Sequence, residues 1–143
     1  MAATIDNRPT SSLASNLNTG ILQWREVDVD FTVTANQLVQ NGTMSLLDIA
    51  LGEVVLAAFI NVVTADADVS DVDLGLETGG ATNDTLIDAA TLASTGIKSA
   101  GANAVLPNYL ACAAATQLVL TNKDADTINE AIIKVSILTA KAA

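Results

Sequence analysis

Apolar and polar residues alternate with a period of two along much of this chain, which is the pattern of β-strands. In the clearest run, Val27, Val29, Phe31 and Val33 alternate with acidic residues and threonine. A strand of this kind turns its apolar face to a core and its polar face to water. We therefore predict that the strands begin at Ile21 and that this long strand has one wet face.

Later segments repeat the pattern. Residues 72–76 and 131–137 alternate in the same way, and residues 109–120 predict one or two further strands. Residues 44–50 fit either a strand or a short helical turn, because their periodicity does not decide between them. With the turn-forming residues between these segments, the spacing predicts about six to eight short strands, as in a β-sandwich or jelly roll.

Only one stretch suggests a helix. Residues 84–93 predict a short one, with Asn83 or Asp84 as the N-cap residue. Residues 94–108, which are rich in Ser, Gly and Asn, predict a long connection. The fold class that follows is all-β: a β-sandwich or jelly roll with at most one short helix.

The segment 53–64 is apolar on both faces of the strand that it predicts. One face carries Val54, Leu56, Ala58, Ile60 and Val62, and the other carries Val55, Ala57, Phe59 and Val63. A strand of this kind must be covered on both faces, by its own fold or by a neighbouring subunit. In a chain this small we predict that another copy supplies the second cover. The second set is therefore the predicted interface of a homo-oligomer, with a trimer expected.

Residues 1–20 keep no apolar period and are dense in Asn, Ser and Thr. They predict an extended N-terminal arm rather than a packed element, followed by one β-sandwich domain over residues 21–143. A disordered tail fits the same composition equally well. An arm that lies across a neighbour would make its contacts through Ile5, Arg8, Pro9, Leu13 and Leu17.

The charge of the chain argues against several kinds of partner. Sixteen acidic residues face six basic ones, which gives a formal net charge of −10. Nucleic acid and anionic membrane surfaces both require basic residues, so neither is an expected partner. The N-terminus shows no secretory signal pattern, and the single Cys112 has no second cysteine to pair with. We expect the protein to be made and assembled in a cytoplasm.

The residues needed for most catalytic sites are missing. The chain contains no His, which removes Ser-His-Asp and Cys-His arrangements and most zinc sites. Cys112 lies among apolar residues and is interpreted as a buried structural thiol. Asp28 and Asp30 could act as paired acids, but a solvated strand face explains them better. The sequence therefore predicts no enzyme, no cofactor and no catalytic residue.

One acidic stretch has the spacing of a calcium-binding loop. Asp66, Asp68, Ser70 and Glu77 occupy its first, third, fifth and twelfth positions. The sixth position needs glycine for a sharp bend, yet it is Asp71. The strand alternation that follows also conflicts with such a loop. A solvated loop is the preferred interpretation, and no metal site is predicted.

Several short motifs stand between Met44 and Leu138. They are Val54-Val55-Leu56, Asn61-Val62-Val63-Thr64-Ala65, Val72-Asp73-Leu74-Gly75-Leu76, Thr85-Leu86-Ile87-Asp88-Ala89-Ala90 and a closing strand over Ile132–Ile137. Together they resemble small bacteriophage virion proteins. The resemblance implies a jelly-roll capsid decoration (cement) or head-fibre protein, generally trimeric, on the outer surface of the capsid. Its motifs are structural, so no functional residue is carried over.

The expected function is therefore that of a structural virion protein, whose partners are the major capsid protein and other copies of itself. Under this interpretation the N-terminal arm would contact the capsid or a neighbouring subunit. Two alternatives remain open. One is another virion component, such as a tail or fibre-base protein. The other is a carbohydrate-binding jelly roll, for which only Trp24 and Tyr109 could stack on sugars.

Overall fold

The computed structural model describes residues 4–6, 22–77, 86–99, 110–111 and 115–141. These residues form ten strands. In chain order the strands are β1 (Thr4–Asp6), β2 (Leu22–Asp30), β3 (Thr43–Ile49), β4 (Glu53–Thr64), β5 (Val72–Leu76), β6 (Ile87–Ala90), β7 (Gly96–Ser99), β8 (Leu110–Ala111), β9 (Thr116–Asn122) and β10 (Ile132–Lys141). A short 3₁₀ turn at Thr34–Asn36 follows β2.

The strands build two sheets. The first has the order β1-β3-β9-β5-β6, and the second has the order β2-β10-β4-β7, with β8 also paired to β4. Every pairing is antiparallel except that of β1 with β3, which is parallel. The chain crosses repeatedly from one sheet to the other, so most neighbouring strands are distant in sequence, and β5 and β6 are the consecutive pair. The predicted all-β sandwich is confirmed.

Branched aliphatic side chains from the inner faces of both sheets fill the core. Phe31 is the one aromatic residue among the largest fully buried side chains of the described part of the chain. The others are Leu38, Met44, Leu46, Ile49, Ile60, Leu74, Leu86, Leu92, Leu118, Leu120 and Ile128. Full burial of each such side chain stabilises the fold by about 1.5 to 3 kcal/mol. The core is thus a dense aliphatic layer, as the composition implies.

Several strand predictions hold in detail. Residues 53–64 and 72–76 form β4 and β5 with the predicted bounds. The ambiguous segment 44–50 is a strand, β3, and residues 109–120 contain two strands, β8 and the start of β9. The last strand runs on to Lys141 as β10, which lies between β2 and β4 and pairs with both.

The predicted helix over residues 84–93 is wrong. Ile87–Ala90 form a strand that pairs with β5, and Asp73 accepts a hydrogen bond from the backbone N–H of Ala89 at 3.0 Å. Ala89 has φ of 56°, which no regular helix contains. The long connection predicted over 94–108 likewise contains a strand, β7. Pairing with neighbouring strands overrides the weak local preference for a helix.

The arm prediction is wrong for its first segment. Thr4–Asp6 form β1, which pairs in parallel with the start of β3, and Ile5 packs against the core. Ile5 is therefore a structural residue of the first sheet rather than a free contact for a neighbour. Residues 7–20, with the rest of the predicted arm, lie outside the described residues.

Replacing Ile5 with alanine is expected to lower the free energy of unfolding by about 1 to 2 kcal/mol, because a partly buried aliphatic side chain loses its contacts with the core. Val39→Ala is the control, since Val39 is 53% exposed. It should change the stability by less than about 0.5 kcal/mol. Urea unfolding followed by the fluorescence of Trp24 measures both. Identical midpoints for Ile5→Ala and the wild type would show that β1 contributes nothing to the fold.

Candidate interaction face

The outer faces of the two sheets differ in exposure. On the first sheet, outward-facing Ser45, Asp73, Val119 and Thr121 are all buried. The expectation that residues 72–76 form a half-wet strand is therefore wrong, because β5 is covered on both faces. The second sheet instead presents a broad outer face on which large apolar side chains meet water.

The strand register arranges this outer face in rows that run across β2, β10 and β4. Directly paired residues share a face of an antiparallel sheet, so each row can be read from the pairing. From one end to the other, the rows are Leu22–Ala140–Val54, Trp24–Leu138–Ala57, Glu26–Ser136–Phe59 and Asp28–Lys134–Asn61. The first two rows are apolar, and the polarity changes along the third and fourth.

A β-bulge in β4 decides which residues reach this face. Thr139 pairs with Val55 and Leu138 pairs with Ala57, so Leu56 is an extra residue without a direct partner in β10. One extra residue reverses the alternation of side chains beyond it. Val55 therefore points inward and is 0% exposed. Its assignment to the predicted oligomer interface is wrong, because the core of its own chain already covers it.

The other predicted interface residues separate into two places. Ala57 and Phe59 are half-buried on the outer face, beside Trp24 and Leu138. Val63 is exposed but lies beyond the charged fourth row, at the far end of β4. The structure thus brings Ala57 and Phe59 together and leaves Val63 apart from them.

We call the apolar end of this face the apolar half. It consists of Leu22, Trp24, Val54, Ala57, Phe59, Leu138 and Ala140. Leu22 is 61% exposed and Trp24 is 50% exposed. The rings of Trp24 and Phe59 lie 5.8 Å apart between centroids, at an interplanar angle of 37°. Sequence reasoning considered Trp24 only as a possible sugar-stacking residue and left both Leu22 and Trp24 out of the predicted interface, because the same face of β2 also carries acids.

The opposite end of the face is charged. The Nζ of Lys134 lies 3.6 Å from a carboxylate oxygen of Glu26 and 3.9 Å from one of Asp28. The Nε1 of Trp24 donates a hydrogen bond of 2.6 Å to the other oxygen of Glu26. This hydrogen bond is the main cause that holds the pKa of Glu26 below its ordinary value, and the charge of Lys134 adds to it. Glu26 therefore marks the border between the two halves.

An ion pair fixes β2 at the edge of the sandwich. The Nη1 of Arg25 lies 3.1 Å from a carboxylate oxygen of Glu53, which is almost completely buried. Arg25 also donates to the backbone carbonyl of Asp48, and Glu53 accepts the N–H of Ala50 at 2.9 Å. Arg25 thereby links β2 of the second sheet to β3 of the first. The ion pair holds the strand that carries Trp24 in register with the rest of the face.

Two residues of the possible calcium-binding loop, Asp66 and Ser70, have structural hydrogen-bond partners. Asp66 accepts the backbone N–H groups of Asn129 and Glu130, both at 3.0 Å. Asp124 accepts the N–H of Ser70 at 2.8 Å, and this bond is the first cause that lowers the pKa of Asp124. Among the residues that the structure describes, no group of three or more His, Cys, Asp or Glu is arranged to hold a metal ion. These acids hold loops together.

Six of the candidate residues lie outside the described residues: Cys112, Tyr109, Arg8, Pro9, Leu13 and Leu17.

Asp30 was considered as a paired acid with Asp28. It accepts hydrogen bonds from the N–H and the hydroxyl of Thr32 and so closes the turn after β2. Within the described ranges, no helix is long and apolar enough to span a bilayer.

Comparison with known proteins gives a fold but no sequence family. No protein-family model matches the chain, and no curated protein matches its sequence. A chain in the capsid of Ralstonia phage GP4 matches with a TM-score of 0.69 and 16% identity, over 99% of this chain and 99% of that one. The two chains therefore share one fold.

Two further phage structures match over most of their length. A chain of the acid-stable capsid of Helicobacter pylori bacteriophage KHP30 has a TM-score of 0.61 and 17% identity, covering 87% of this chain and 91% of that one. A chain of the cyanophage Pam1 capsid asymmetric unit has a TM-score of 0.56 and 11% identity, covering 85% and 84%. The resemblance to phage capsid proteins is confirmed at the level of the fold.

The hydrogen bond from Trp24 makes the titration of Glu26 a test of the face. Glu26 should titrate below the ordinary range, and Trp24→Phe should raise its pKa, since phenylalanine has no N–H to donate. Because the pKa of Glu26 is lower in the folded chain than in the unfolded chain, the bond stabilises the folded state at pH values above the unfolded pKa. This stabilisation is lost as the pH falls through the folded pKa. NMR titration of the Glu26 carboxyl carbon measures both. A pKa that Trp24→Phe leaves unchanged would contradict the assigned cause.

Proposed function

We propose that this chain is a structural protein of a bacteriophage particle, a decoration (cement) protein that binds the outer surface of the head and stabilises it. The observation that carries the proposal is the match to a chain of the Ralstonia phage GP4 capsid over 99% of both chains. The three structures compared above are all of phage capsids, which favours the head over a tail or fibre base.

The net charge supports a place on the outside of the shell. A chain with a formal charge of −10 repels packaged DNA, whose phosphates carry the same sign. On the outer surface this repulsion is weaker, because the shell separates the two charges and salt screens them. The charge also keeps the free protein soluble before it binds.

A purely adhesive role agrees with the chemistry of the chain. The sequence contains no His, and Asp66 and Asp124 are engaged in holding loops. Binding to the assembled shell but not to its separated subunits is enough to stabilise the shell by mass action. No bond-making step, cofactor or metal is part of the proposal.

The proposed partners are the major capsid protein and other copies of this chain, as a homotrimer. Arg8, Pro9, Leu13 and Leu17 are proposed to lie against the shell or a neighbouring subunit. Ile5 is left out of this set, because its side chain packs on the core of its own sandwich. In this arrangement β1 anchors the arm to the domain, and the residues after β1 are the ones that make contact.

Particles stripped of this protein should release their DNA at a lower temperature, and under milder osmotic shock, than complete particles. Adding the purified protein back should restore the resistance, since the gain follows from binding alone. Thermal release of DNA, followed with a dye that fluoresces on DNA, measures the difference. Rebinding should weaken only modestly with added salt where apolar and hydrogen-bonded contacts carry it, and strongly where basic patches on the shell dominate.

A different result would point to a different role. If stripped and complete particles melt at the same temperature, and the stripped ones fail to adsorb to cells, the stabilising role is wrong. The protein would then be a receptor-binding component of the particle. A variant that binds the particle but does not raise its melting temperature would also contradict the proposal.

A further inference from the structure

We propose that the outer edge of β2, the edge that faces away from β10, is a docking site for an extended segment of a partner protein. The segment adds to the second sheet as an antiparallel strand and places basic side chains opposite Glu26 and Asp28. This inference goes beyond the proposed role on the particle, because it assigns one edge of the fold and the chemistry of the segment that binds there.

The first argument is that β2 is an unusually long edge strand. The edge strands β1, β6 and β7 have three, four and four residues, whereas β2 has nine. Within the part of the chain that the structure describes, β2 pairs with β10 alone, from Leu22 to Asp30 and without a bulge. Short length, bulges and prolines are devices that keep an edge from pairing, and β2 has none of them. Such an edge is suited to strand addition.

The second argument is the direction of the backbone groups. The N–H of Phe31 donates a hydrogen bond of 2.9 Å to the carbonyl of Ala131, so this pair is hydrogen-bonded. Along antiparallel strands such pairs alternate with pairs that are not hydrogen-bonded, and the register with β10 continues through β2 without a shift. The backbone groups that point to the outer edge are therefore those of Leu22, Trp24, Glu26 and Asp28.

The third argument, which identifies the partner, is the charge beside this edge. Glu26 and Asp28 share Lys134, whose Nζ lies 3.6 Å and 3.9 Å from their carboxylates. Two carboxylates and one ammonium group leave one net negative charge, and the side chain of Asp28 is 77% exposed. Basic residues directly opposite the two acids would complement this charge. The exposed side chains of Leu22 and Trp24 would then lie opposite apolar residues of the same segment.

A second copy of β2 does not fit this edge. Antiparallel pairing about the centre of the strand would place Glu26 opposite Glu26 of the second copy, and like charges directly opposite each other destabilise a strand pair. A slip of two residues would place Glu26 opposite Trp24 and Asp28 opposite Leu22, so that neither acid meets a base. The edge therefore favours a segment of different sequence, with basic residues at alternate positions followed by apolar ones.

The test uses the isolated full-length chain and a short peptide with blocked ends, Lys-Val-Lys-Thr-Val-Thr-Val. In antiparallel pairing its lysines lie opposite Asp28 and Glu26, and its last two outward-facing valines lie opposite Trp24 and Leu22. The control peptide, Val-Lys-Lys-Thr-Val-Thr-Val, has the same composition and charge. Its adjacent lysines cannot both face the acids, because neighbouring residues of a strand point to opposite faces. NMR titration of the isotope-labelled chain measures both dissociation constants and locates the amides that shift.

The alternating peptide should bind about three- to tenfold more tightly than the control peptide, because each pair of opposite charges across two strands adds a modest gain. The largest shifts should fall on the amides of β2. Asp28→Asn should reduce this preference, since it removes one of the two acids. Glu77→Gln should preserve it, because it removes the same charge from an exposed residue of the first sheet's side.

Backbone methylation of the peptide separates strand addition from general attraction between opposite charges. Methylating the N–H groups of both lysines in the alternating peptide removes donors that point to β2, so it should abolish binding. Methylating the N–H groups of its second and fourth residues instead, which point away from β2, should leave the affinity nearly unchanged.

Four results would overturn the inference: equal affinity of the two peptides, shifts confined to strands other than β2, equal effects of the two methylation patterns, or no binding at about 5 mM peptide. The particle is tested separately. If the alternating peptide binds β2 but the protein does not raise the melting temperature of particles, the docking edge stands and the capsid role fails. If the protein stabilises particles but the peptide does not bind, the capsid role stands and the docking edge fails.

Discussion

Aliphatic side chains held between two sheets supply the stability on which every other feature of this protein depends. Neither sheet is stable alone, because each would leave one face of valine, leucine and isoleucine side chains in water. Stacking covers these inner faces, and the centre of the outer face of the first sheet is buried as well. The outer face of the second sheet is then the broad surface left for other molecules. The residues exposed on this face are those that the packing of the core leaves on the outer side of the second sheet.

Polar groups enter the sandwich only where they have partners. Glu53 is nearly fully buried, and both Arg25 and the N–H of Ala50 satisfy it. The buried carboxylate of Asp66 accepts two backbone N–H groups from the chain before β10. Each hydrogen bond of this kind stabilises the fold modestly. Removing one partner, however, leaves a buried charge unpaired, which is strongly destabilising. They fix the edges and loops of the sandwich while the aliphatic core supplies most of the free energy.

Segments with a clear apolar period were predicted correctly, and segments with a weak period were not. The segments 53–64 and 72–76 are long enough, and rich enough in valine and leucine, for their period to define both ends of a strand. Residues 84–93 have Leu86, Ile87 and Ala90 at spacings that suit a helix or a strand, and pairing with β5 decides between them. The three residues of β1 are too few to show any period, so only the structure reveals them.

The candidate face was harder to predict, because it depends on strand register. The outward position of Ala57 and Phe59 follows from the alternation along β4, but the bulge at Leu56 moves Val55 into the core. The bulge arises from the pairing with β10, some eighty residues later in the chain, so the local sequence pattern does not predict it. Trp24 shares its face with acids in the sequence, and only pairing places Leu138 beside it and Lys134 beside the acids.

The position of β10 has a consequence for when this protein can act. β10 is the last strand, yet it lies at the centre of the second sheet, between β2 and β4. During synthesis β2 has no neighbour in its sheet, and β4 has only β7 and β8, until β10 has emerged from the ribosome, so the second sheet is completed only after residues 132–141 have been made. The surface that joins Trp24 to Leu138 cannot form on a nascent chain that has not yet reached β10. A chain that stops before β10 therefore lacks this surface.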